Sequence, residues 1–151
     1  MPISTRTTDI LNDVYNLTLN SLATYIVAAE PYVATGQEII LENIQDIAKD
    51  NAVLAKEIAG CMRSLDAIPH SSSFNTRMSE LNYLSINYLK TVLINELGLE
   101  HQQVEKFISE CKEGSGLPKV TPESQDMMRV VAILEKTKSQ MESSLMQLNS
   151  I

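Results

Sequence analysis

At 151 residues, with apolar residues at 44% but only two Phe, five Tyr and no Trp, the chain has the size of one domain and a core filled by aliphatic side chains. Five Gly and five Pro are too few to turn the many short strands of a sandwich or barrel, so a few long helices are expected. Twelve basic residues, dispersed among nineteen acidic ones for a formal net charge of −7, argue against nucleic acid as a partner.

No run approaches the roughly eighteen apolar residues of a spanning helix, and Met1 to Asp9 lacks the apolar core of a secretory signal. A cytoplasmic protein with no membrane partner is the expectation. Cys61 and Cys111 stand far apart, outside any Cys-x-x-Cys spacing, and read as reduced thiols.

The first helical pattern runs from about Thr8 to Glu30, where Leu11, Tyr15, Thr18, Leu22, Tyr25 and Ala29 recur at spacings of three and four. Pro31 disfavours helical geometry at Glu30, so the helix should stop there and the chain should turn. Thr35 and Glu38 have capping-box spacing and predict the next helix start. Ile40, Ile44, Ile47, Asn51, Leu54, Ile58, Met62 and Leu65 then keep the helical rhythm, with Asn51 the one polar member. Asp66 to His70, followed by three serines, reads as a connection.

Two parses compete beyond it. Either a helix ends at Gly98 and a short one follows, or Ser73 to Asn82 is a crossover and a long helix runs from about Tyr83 to Lys112. The second is preferred because it yields four helices of similar length, at a cost of about 1 kcal/mol for the mid-helix glycine. Glu113 to Pro118 is the clearest loop. Thr121, Pro122 and Glu123 suggest a cap, a first-turn proline and an acidic first turn for the last helix, whose stripe is Met127, Val131, Leu134, Lys138, Met141, Leu145 and Leu148.

The order helix, short turn, helix, crossover, helix, loop, helix resembles the ferritin-like superfamily over nearly the whole chain. Ala29-Glu30-Pro31-Tyr32 and Leu81-Asn82-Tyr83-Leu84-Ser85 add to the likeness. The resemblance implies an all-α, antiparallel four-helix bundle in one domain, residues 1–151, with a crossover between the second and third helices. Active members of that superfamily hold two irons or manganese ions between glutamates and Glu-x-x-His motifs. Here the residues three before His70 and His101 are Ala67 and Gly98, so both motifs are missing and the site is expected to be degenerate.

Asn51 and Lys138 interrupt otherwise apolar stripes and are the interior polar candidates. One reading makes them a rebuilt site in which the Lys138 ammonium compensates Glu96, Asp50 or Glu30; the other has Lys138 snorkel and Asn51 face solvent or fix helix register. His101 and Glu105, one helical turn apart, suit acid–base work or a lone metal ion, or form an exposed helical pair. His70 beside Ser71 to Ser73 lacks a nucleophile elbow and reads as a loop histidine. No Walker loop, dinucleotide fingerprint or metalloprotease motif is present.

The function expected is that of a non-catalytic bundle acting by binding a protein partner or by homodimerisation, with no catalytic residue and no cofactor. Val130, Val131, Ile133 and Leu134 are the candidate contact face. The alternative is a histidine-poor di-iron or di-manganese oxidoreductase or metal-storage protein using Glu30, Asp50, Glu96 and Glu135.

Overall fold

Ser4 and Ser21 each start a helix by the same device: the serine backbone stays extended while its hydroxyl accepts the N–H three residues on, that of Thr7 at 3.1 Å and of Thr24 at 3.4 Å. The helices they open are α1 (Thr5–Leu19) and α2 (Leu22–Ala28), where the apolar rhythm predicts one continuous helix. The break falls where helix-competing side chains crowd together. The Thr18 hydroxyl turns back to the carbonyls of Val14 and Tyr15, and Asn20 caps α1 before Ser21 caps α2. Helix α2 ends as the proline signal predicts: Ala29 is its cap and Glu30 takes a left-handed φ of 50° ahead of Pro31.

In this computed structural model, residues 4–71, 84–114 and 122–151 are described. The crossover expected over Ser73 to Asn82, the Thr121 cap and the loop expected over Glu113 to Pro118 lie outside them, except that Glu113 and Gly114 are described and end a helix instead of opening the loop.

Helix α3 spans Glu38–Ser64, but its start differs from the predicted capping box. Gln37 is the N-cap and makes no side-chain cap, while the Glu38 carboxylate accepts the Gly36 N–H at 2.9 Å. Gly36 has a left-handed φ of 91°, so it is not the first helical residue that a Thr35 cap requires, and the cap falls two residues further on. At the other end Ala67 N–H reaches the Met62 carbonyl at 2.8 Å and Asp66 N–H that of Arg63 at 3.1 Å, a Schellman closure with Asp66 left-handed at φ 60°.

Helix α4, Ile86–Gly114, passes through Gly98 without interruption, so the long-helix parse is the one adopted. It begins three residues beyond Tyr83, where Ser85 accepts from the Tyr88 N–H. Helix α5, Pro122–Asn149, opens with proline in its first turn. The only pairing of extended backbone among the described residues is a parallel bridge between Tyr32 and Ser85, which ties the segment after α2 to the start of α4.

The described residues thus form an all-α, bundle-like fold in which α1 and α2 together take the place of one long helix. Both pack on α3; α5 packs on α4 and α3. Buried residues of all five helices join one aliphatic core, with Ile10, Leu11, Ile26, Ile44, Ile58, Leu93 and Leu134 among its largest enclosed side chains.

Helix α5 turns a different line inward from the one its sequence suggests. Val130, Leu134, Thr137, Met141, Ser144 and Leu148 are buried, while Met127, Val131 and Leu145 flank them. The contact face proposed at Val130, Val131, Ile133 and Leu134 is therefore not a free surface: two of the four are core and two pack against it. Apolar residues stand in adjacent pairs there, so spacing alone leaves a rotation of one residue open. Thr137 decides it, because its hydroxyl donates to the Ile133 carbonyl at 2.9 Å and can be buried satisfied, as an ammonium could not.

A Cβ added at Gly60 or Gly98 meets nothing within 4 Å, so neither glycine serves a close helix approach. Gly60→Ala and Gly98→Ala should each stabilise the fold by about 0.5–1 kcal/mol, through helix propensity. Urea unfolding of the single and double variants measures this, and the two gains should add.

Candidate functional site

Polar side chains gather along two seams of α5. On the side facing α3, Gln140 donates to Asn51 at 2.9 Å, and Gln147 donates to Asn43 a little over two turns away. Both asparagines are buried. Lys136 and Glu57 continue the seam as an exposed ion pair. Asn51 is thus partnered by an amide from α5, which fixes how the two helices slide against each other.

On the side facing α4, the side chains of His101, Glu105, Lys138 and Glu142 close a ring. His101 Nε2 stands 2.9 Å from Glu142 Oε1, and its Nδ1 stands 3.8 Å from Glu105 Oε1. The Lys138 ammonium lies 3.5 Å from Glu105 and 3.9 Å from Glu142. The hydrogen bond from His101, helped by the nearby Lys138, holds the Glu142 carboxyl below its usual range. An ionised carboxylate only accepts, so Nε2 carries the proton. Nδ1 then faces Glu105 Oε1 at 3.8 Å.

Lys138 therefore sits at the bundle's edge, its side chain 35% exposed, and its charge answers Glu105 and Glu142 and not the carboxylates considered from the sequence. His70 contributes its backbone: its N–H donates to Asn12 and its carbonyl accepts from Asn16, each at 2.8 Å, so α1 holds the chain leaving α3.

The carboxylates of the alternative metal set are dispersed. Glu30 is exposed in the left-handed turn after α2, Asp50 is exposed on α3, and Glu135 bridges to Lys112 at 3.0 Å; only Glu96, on α4, is half-buried. Among the described residues no group of three or more His, Cys, Asp and Glu is placed to hold a metal ion. No family model, curated protein or solved structure matches the chain. Among the described residues, no helix is long and apolar enough to cross a membrane.

One group that periodicity did not single out is Glu100. It lies on the inward line of α4 between the buried Leu97 and Val104 and is itself half-buried. Burial, reinforced by the charge of Glu96 one turn earlier, raises its carboxyl from 4.5 to about 8. The signal is available as a glutamate on the Leu93, Leu97, Glu100, Val104 line, and the competing reading of the helix around Gly98 hides it. Burial also raises the thiols of Cys61 and Cys111, which leaves both poor nucleophiles.

Proposed function

We propose that the chain is a non-catalytic helical bundle, ferritin-like in arrangement and without that superfamily's metal chemistry, which acts by binding, first of all to a second copy of itself. The observation that carries this is the pair Tyr32 and Tyr88, 65% and 55% exposed on the two segments joined by the Tyr32–Ser85 bridge, with Ile39, 51% exposed, at the start of α3. Tyrosine offers a large, stiff contact surface and is enriched in interfaces. The groups suited to chemistry are engaged with each other: Asn51 with Gln140, and His101 with Glu142.

The ferritin-like arrangement is supported by helix direction. Residues 43, 51 and 57 of α3 meet 147, 140 and 136 of α5, and residues 101, 105 and 112 of α4 meet 142, 138 and 135. Helices α3 and α4 both oppose α5, so they point the same way.

Sedimentation velocity over a range of concentrations tests the reading. A reversible dimer is expected, and the double variant Tyr32→Ser/Tyr88→Ser should lose it. Elemental analysis of protein produced with added iron and manganese should find no stoichiometric metal. About two ions per chain, lost in Glu96→Ala, would overturn the proposal.

A further inference from the structure

The solvent side of α4 differs in charge from that of the other long helices. From Tyr88 to Gln103 its exposed residues are Tyr88, Thr91, Asn95, Leu99, Gln102 and Gln103, and none is charged. The first five recur at three or four residues and so form one stripe, about 22 Å long at the usual rise. The ionisable groups of the same span are turned aside. Lys90, Glu96, Glu100 and His101 are half-buried; Lys90 donates to a main-chain oxygen of Ile151 at 2.8 Å, and His101 faces α5. Charge returns to the stripe only at Lys106 and Glu113.

The outer sides of α3 and α5 are charged at nearly every turn. Exposed apolar residues there stand singly among ions: Val53 between Asp50 and Lys56, Met128 beside Arg129, and Met146 one turn from Glu142. On α4, by contrast, Tyr88 and Leu99 are 55% and 63% exposed, lie three turns apart, and share the uncharged stripe. Tyr32, bridged to Ser85, stands at the Tyr88 end.

Charge decides what such a face can meet. With a formal net charge of −7, two copies of the chain repel each other, and they approach with least repulsion through the surface that carries no ions. A basic partner would gain nothing from that surface. Interface cores are likewise poor in charged residues and rich in tyrosine. A contact between identical copies is two-fold, so each residue must find its counterpart on the same patch. Laid parallel, two α4 stripes would set Lys106 on Lys106 and Glu113 on Glu113, a like-charge arrangement. Laid antiparallel, they oppose their helix dipoles favourably and bring large apolar residues together. We infer, resting on the self-association proposed above, that a second copy of the chain packs on this stripe antiparallel, with Tyr88 of each copy against Leu99 of the other. Thr91, Val92 and Asn95 then surround the two-fold axis. A strip about 22 Å long and one helix, about 10 Å, wide covers less than the roughly 800 Å² per partner of a standard interface, so the pair exchanges with free chain.

Sedimentation velocity of the full chain tests both the surface and the direction. The wild type should dimerise reversibly, and Tyr88→Glu and Leu99→Lys should each raise the dissociation constant more than about tenfold, since each sets an unpaired charge against an apolar residue. An equimolar mixture of the two variants should regain a dimer that weakens as salt is added. In the mixture the new carboxylate meets the new ammonium at one end of the contact, and Leu99 meets Tyr88 at the other. Both positions are exposed, so the core is untouched, and recovery on mixing shows that both variants are folded. A wild-type dimer that survives Leu99→Lys, or a mixture that stays monomeric, would overturn the antiparallel α4 contact and leave self-association standing. A wild type monomeric at every concentration would overturn both.

Discussion

Thr137→Lys should cost more than about 3 kcal/mol of stability, whereas Lys138→Thr should cost less than about 1 kcal/mol, although the two positions are neighbours on one helix. Thr137 is fully buried and its hydroxyl is satisfied within α5. An ammonium placed there would lose the water that solvates it, and it would overfill a seam shared with α3 and α4. Lys138 lies one position further round, partly in water, and its two ion pairs are of the exposed kind. Such pairs contribute from nothing to about 1 kcal/mol. Urea denaturation of the two variants decides which face of α5 is inside. Equal losses would mean that α5 does not turn Thr137 inward and Lys138 to its edge.

The same residues show why part of the fold was legible and part was not. Asn51 could be recognised as a polar interruption because the residues before and after it at helical spacing, Ile44, Ile47, Leu54 and Ile58, define a single line, and that line is the buried one. On α5 the apolar residues come as Val130-Val131 and Ile133-Leu134, so two lines one residue apart are equally apolar. Choosing between them requires knowing that Thr137 can bond its own helix and that Glu105 and His101 wait on the flank for Lys138, and both facts are tertiary.

The break between α1 and α2 was legible in principle. Ser21 followed three residues later by Thr24 carries the cap, and Thr18, Asn20 and Ser21 are side chains that compete for the backbone. An unbroken apolar rhythm across them outweighs that signal, because Leu11 and Val14 before the interruption and Leu22 and Ile26 after it all stay inward. The α4–α5 ring shows the opposite limit. His101 and Glu105 are visible as a helical pair, but Glu142 and Lys138 join them only because α5 runs back along α4.

Global stability should fall as pH rises from 5 to 8, by about 3 kcal/mol at pH 7 relative to acid, and Glu100→Gln should remove most of that fall. The sign follows from where the proton binds more tightly. The Glu100 carboxyl is raised from 4.5 to about 8 in the folded chain, so folding takes up a proton. Its contribution is complete below about 4.5, is lost progressively as pH rises, and changes no further above about 8. Glu142 acts in the opposite sense. Its carboxyl is lowered by the His101 hydrogen bond, so its contribution is present above 4.5 and fades only as pH drops below that value. The two groups therefore do not mask each other between pH 5 and pH 8. In a chain of this size a loss of about 3 kcal/mol corresponds to roughly 10 °C in melting temperature. Glu96→Gln should recover a minor share, because its charge is the smaller of the two causes and burial the larger. Denaturant curves at pH 5 and pH 8 for the three chains separate these contributions. A wild-type chain as stable at pH 8 as at pH 5 would show that Glu100 already has water around it in the packed bundle.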